Sequence, residues 1–160
     1  MAQQPPGTPP AASGGAQPAV RVDPYRGYNF KLEIQGVTEG YFTACTDMGV
    51  HVGVVQYRVG GTSALTRKLP GLVEYADVTL SYGVTISRQL WDWLMSAVEG
   101  KVQRKNVSVV LLDPDGTTEV LRWDLIDAWP REWRGAPLDA LSGEIAVETL
   151  TLAVESYQRV

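Results

Sequence analysis

Short runs in which apolar and polar residues alternate with period two recur along the chain, and a single segment departs from them to the 3.6-residue period of a helix. The clearest run sets Val78, Leu80, Tyr82 and Val84 against Thr79, Ser81 and Gly83. Such alternation places every apolar side chain on one face of a strand, which buries that face and wets the other. Tyr28, Phe30, Leu32 and Ile34 alternate in the same way with Asn29, Lys31 and Glu33. In residues 50–59 the apolar positions run Val50, Val52, Val54 and then Val55, Tyr57, Val59, a parity change that predicts a bulge or a strand buried on both faces. Residues 106–126 read as two β-rich runs joined by the turn Asp113-Pro114-Asp115-Gly116. The run 144–157 is expected to close the fold as one long strand, with parity shifting from Ile145 and Val147 to Leu150, Leu152 and Val154. Residues 60–71, GGTSALTRKLPG, read as a loop with glycine at both ends, and residues 128–143 as an irregular connection. The sum is a mainly antiparallel β-domain, α+β by virtue of one helix, without internal repeats.

That helix is expected over about residues 87–99, in GVTISRQLWDWLMSAVEG. Ser87 can accept from the free N–H groups of the first turn, and Gly100 suits the left-handed stop. At about 100° per residue, Leu90, Trp91, Leu94, Ala97 and Val98 gather on one side, with Asp92, Ser96 and Glu99 opposite. Trp93 and Met95 fall on the two margins. No polar group here is placed to hold a cofactor, so the segment reads as a packing helix.

At 160 residues the chain can bury a core without disulfides, and its net charge of −4 argues against a general nucleic-acid binder. The lone cysteine, Cys45, excludes an internal disulfide and a multi-cysteine zinc site. No apolar run approaches the length of a membrane span, so no membrane anchor is expected. The Pro/Gly/Ala/Gln-rich residues 1–22 carry too little apolar surface to order themselves and lack the pattern of a signal peptide. The expectation is a disordered tail followed by one domain over residues 23–160, in a protein made in the cytoplasm.

A search for chemistry finds little. Cys45 and His51 could share a strand face, yet no third group orients them, and a turn-like TDMG lies between. The segment ending in Arg67-Lys68 lacks the glycine that a phosphate loop needs before its lysine. DPDG lacks the later ligands of a calcium loop. The carboxylates Asp124, Asp127, Glu132, Asp139 and Glu144 show no acid–base pairing. No cofactor, metal or catalytic residue is expected. Trp129 and Trp133, with Trp123, fit either a subunit interface or a platform for sugar or peptide in a small β-sandwich binding module.

Taken in order, DPYRGYNFKLEI, YRVGG, RKLPGLVEYADVTLSYGVT, LWDW, RWDLIDAWPREWRG and GEIAVETLTLAVESY resemble the tail tube proteins of contractile phage tails and related contractile injection systems. The similarity runs from about Asp23 to Tyr157. It implies packed antiparallel sheets, a barrel-like sandwich flanked by one helix. It also implies hexameric rings that stack into a hollow inner tube inside a contractile sheath, with baseplate, spike and terminating proteins as further partners. Cargo, DNA or protein, would pass through the lumen of a virion or released particle, without sequence-specific nucleic-acid binding. Ring closure would pair exposed sheet edges across subunits. On this resemblance, Trp93 or Met95 faces a neighbouring subunit, Trp129 and Trp133 lie at an interface, and Arg67 and Lys68 reach the next ring.

Overall fold

The computed structural model of the protein describes residues 25–35, 42–58, 60–61 and 66–160. The expected N-terminal tail and residues 62–65 lie outside this set. The elements, in chain order, are β1 (Phe30–Ile34), β2 (Phe42–Thr46), β3 (Val50–Arg58), β4 (Thr66–Tyr75), β5 (Val78–Gly83), α1 (Gln89–Val98), β6 (Lys105–Leu112), β7 (Glu119–Arg134), β8 (Val147–Ala153) and β9 (Ser156–Arg159).

Seven strands join in one antiparallel sheet of order β1-β6-β7-β8-β5-β2, with β9 added along β7, while β3 and β4 form a separate two-stranded ribbon. The sheet folds over on β7 into two layers. The first half of β7 pairs with β6 and β9, through Leu125 opposite both Val107 and Tyr157. Its second half pairs with β8, where Trp133 faces Leu150. The register slips between these halves, and Asp127 adopts φ 52°, a left-handed turn that aspartate tolerates better than most residues. Its N–H donates to the Asn106 side-chain oxygen at 3.1 Å, which fixes the bend.

The alternating runs then meet inside. Leu32, Ile34, Val78, Leu80, Val107, Leu125, Leu150 and Leu152 are buried between the layers, and Leu90, Trp93 and Leu94 of α1 close one side. The sheet does not close into a barrel; the architecture is a sandwich with one helix, as the strand pattern implied. The Asp113–Gly116 turn forms as expected, with Gly116 at φ 72° and its N–H donating to the Asp113 carbonyl at 2.9 Å.

Three expectations need correction. The segment 60–71 is not a loop throughout: from Thr66 onward it is strand β4. The connection 128–143 is strand as far as Arg134, because β7 runs through Pro130 at a register shift where the missing N–H costs no ladder bond. The final run is two strands, since β8 ends at Ala153 and β9 crosses to the other layer.

Candidate assembly surface

The ribbon β3–β4 leaves the sandwich between β2 and β5, anchored at its base by the Ala76 N–H donating to the Gly49 carbonyl at 2.9 Å. There Tyr75 packs on Tyr157, and the Tyr157 hydroxyl donates to the Ala76 carbonyl. Farther out, the ribbon's two backbones approach closely: a Cβ added at Gly71 would stand 3.0 Å from the Gly53 carbonyl oxygen. The register shift puts the extra residue of this bulge on β4, where Gly71 and Leu72 oppose Gly53. The parity change in residues 50–59 therefore marks neither a bulge in β3 nor burial of both its faces, but apolar residues on two exposed faces.

Opposed residues of an antiparallel pair share a face. Beyond the bulge, Val55, Leu69, Tyr57 and Arg67 occupy one face and Val54, Pro70, Gln56 and Lys68 the other. Both faces are therefore apolar, and both are exposed; Leu72 is 82% exposed. A two-stranded ribbon is marginal alone in water, and exposed apolar surface of this extent marks an association site. Arg67 and Lys68, expected on a flexible loop, are consecutive strand residues and point to opposite faces. With Arg58 they form no ion pair among the described residues, whereas Lys31, Glu33, Glu119 and Arg122 are linked in a network on the sandwich.

The remaining expected residues belong to the subunit interior or its margins. Helix α1 begins two residues later than expected and has no side-chain cap at Arg88, while Gly100 ends it at φ 78°. Its buried face is Leu90, Trp93 and Leu94, so the apolar arc is rotated towards Trp93 and away from Trp91 and Val98. Trp93 is 2% exposed and its indole N–H donates to the Gln103 carbonyl at 2.7 Å, so it does not face a neighbour. Satisfying that N–H is what selects the rotation. Trp91, 39% exposed, meets Trp133 edge to face at 5.1 Å between ring centres. Met95 packs half-buried against the core. Trp129 and Trp133 are half-buried strand residues of β7, and the Trp133 N–H donates to Glu148 at 3.3 Å. They do not form the open aromatic platform a sugar- or peptide-binding module would need.

Cys45 and His51 lie on strands of different sheets. Burial, with the nearby Asp47 charge adding to it, pushes the Cys45 thiol up to about 11, so little thiolate exists near neutral pH. Among the described residues no three His, Cys, Asp or Glu side chains gather to hold a metal ion, and no helix is long and apolar enough to cross a membrane. The exposed valines and Leu72 of the ribbon are functional candidates that the sequence reading misses. For the valines the signal is the parity change, which makes both faces of β3 apolar; Leu72, on β4, carries no such signal.

Comparisons with known proteins agree with this geometry. No curated protein sequence matches the chain. Among solved structures, the tube terminating cap of the anti-feeding prophage is 24% identical, with a TM-score of 0.80 over 92% of this chain and 98% of the other. A protein of the PVC sheath–tube complex, an extracellular contractile injection system in its extended state, is 26% identical, with a TM-score of 0.76 over 86% of this chain and 91% of the other. Hcp1 of Flavobacterium johnsoniae shares the fold more distantly, at 17% identity and a TM-score of 0.52 over 81% of this chain and 93% of the other. Residues 26–158 match the family described as T4-like virus tail tube protein gp19. A β-sandwich with an uncovered two-faced ribbon, matched by that family over nearly all its described length, is a tail tube family member and a structural subunit of the tube of contractile injection systems.

Proposed function

We propose that the subunit closes into hexameric rings, that the rings stack into a hollow tube, and that DNA or protein cargo passes through the lumen. The observation that carries this reading is the β3–β4 ribbon, whose two apolar faces find no cover among the described residues. Six-fold order is supported by the related anti-feeding prophage baseplate, described as 6-fold symmetrised. A sheath partner is supported by the PVC sheath–tube complex, and a terminating partner by the PVC sheath/tube terminator. Baseplate and spike proteins complete the set of partners. Residues 23–160 act as one domain, assembled in the bacterial cytoplasm before release in the particle.

The role is mechanical and involves no catalysis; the raised thiol of Cys45 supports this. Within the tube, Arg67 and Lys68 belong to the contact between rings, and Met95, Trp129 and Trp133 border a neighbouring subunit. The test is negative-stain microscopy of purified protein. Rings or tubes with a central channel are expected. Monodisperse monomers at high concentration would overturn the proposal.

A further inference from the structure

A second uncovered apolar surface lies at the opposite end of the sandwich from the ribbon. The ribbon enters β5 at Val78, which pairs with Leu152, whereas the far end of β5 pairs Gly83 with Val147. Just past that end, the Val84 N–H donates to the Ala146 carbonyl at 3.1 Å, which ties the segment before α1 to the loop 135–146. Ile86 on the first and Leu141 on the second are fully exposed, at 102% and 97%. The loop also walls a cleft of about 640 Å³ on which Asp139 and Glu144 both open.

The two ends carry opposite charge. Strands β3 and β4 hold Arg58, Arg67 and Lys68 against Glu74 alone, and the loop 135–146 holds Asp139 and Glu144 with no cation. None of Arg58, Arg67, Lys68, Asp139 and Glu144 is ion-paired within the subunit among the described residues. Strand β4 has ten residues and reaches on the order of 33 Å, ample to cross onto another copy.

Two complementary surfaces at opposite ends of one molecule cannot satisfy each other in a closed two-fold pair. They join head to tail, and a head-to-tail contact propagates. We infer that the distal ribbon of one copy seats on the Val84–Ile86 segment and the 135–146 loop of the next copy. The ribbon's cations meet Asp139 and Glu144, and its valines and leucines cover Ile86, Leu141 and Ile145. This rests on the tube reading and names the surface that receives the ribbon.

The test compares full-length chains carrying R67E/K68E, D139K/E144K, and all four changes together. Each variant is checked for native circular dichroism and imaged at low and high salt. Each pair alone is expected to lower the yield of long tubes about tenfold or more at low salt, and the fourfold variant to restore it. Tubes of normal length from D139K/E144K, or no recovery in the fourfold variant, would overturn the assignment of the receiving surface while leaving the tube reading intact. Normal tubes from D139K/E144K that no longer bind sheath protein would reassign the loop to that partner. A wild-type chain that forms neither rings nor tubes would remove the tube reading itself.

Discussion

Leu72→Ala separates folding of the subunit from its assembly. Leu72 lies on β4 beside the ribbon's bulge and is 82% exposed, so truncating it removes almost nothing from the core. The melting temperature of the free subunit should stay within about 1 °C of wild type, as for exposed substitutions generally. If the ribbon is covered by a neighbouring copy, the three lost carbons forfeit about 0.8 kcal/mol each, or about 2 kcal/mol after allowing for the small part already buried. One subunit contributes one ribbon, so each addition to the assembly loses that amount. A loss of about 2 kcal/mol weakens an association roughly thirtyfold. The assay is the concentration at which tubes first appear, read by sedimentation and microscopy, beside thermal unfolding below that concentration. An unchanged threshold would show that the ribbon is not covered in the assembly. A large drop in subunit melting temperature would show that Leu72 supports the fold, which its exposure denies.

Three further outcomes follow from the structure. Trp93→Phe should destabilise the subunit by about 2 kcal/mol in chemical denaturation, because the Gln103 carbonyl loses its 2.7 Å donor in a buried setting; an unchanged midpoint would mean water replaces the indole. Cys45→Ser should assemble normally, and alkylation of the native thiol should stay slow until pH approaches 11; rapid labelling at pH 8 would contradict the burial that raises it. The Tyr157 phenol is raised to about 12, chiefly by burial, so its contribution is intact below the ordinary value near 10 and is lost as pH rises through 12. Stability should therefore fall between pH 10 and 12 in the wild type and less steeply in Tyr157→Phe, and parallel curves would refute the link.

The parts of the fold legible in the sequence are those where one local signal dominates. Alternation found β1, β5 and the buried residues Leu32, Ile34, Val78 and Leu80, and Asp113–Gly116 marked its own turn. The ribbon was hidden because glycine, proline and two cations in residues 60–71 mimic a loop. Pro70 is tolerated there because, among the described residues, β4 pairs with β3 alone, and a strand at a sheet edge accommodates proline. Pro130 concealed the second half of β7 in the same way, though it is fully buried. In α1, two overlapping apolar arcs compete, and the wheel alone cannot rank them. A hydrogen bond to Gln103, distant by ten residues, decides in favour of Trp93. The candidate surface was half legible: Arg67 and Lys68 were singled out for their charge, whereas Leu72 and the valines were assigned to no surface. A side chain that is apolar and uncovered looks, in a sequence, the same as one that is apolar and buried.

The long strand β7 has a mechanical consequence. Because one continuous chain segment, Glu119–Arg134, is stitched to β6 and β9 on one layer and to β8 on the other, the layers share a covalent spar. A pull that tries to slide the layers past each other along this strand loads its ladder bonds side by side, so they must rupture together. A pull across the strand would instead open them one after another, at far lower force. A load along β7 would thus meet more resistance than one across it, and the Asp127 bend marks where the strand passes from one layer to the other.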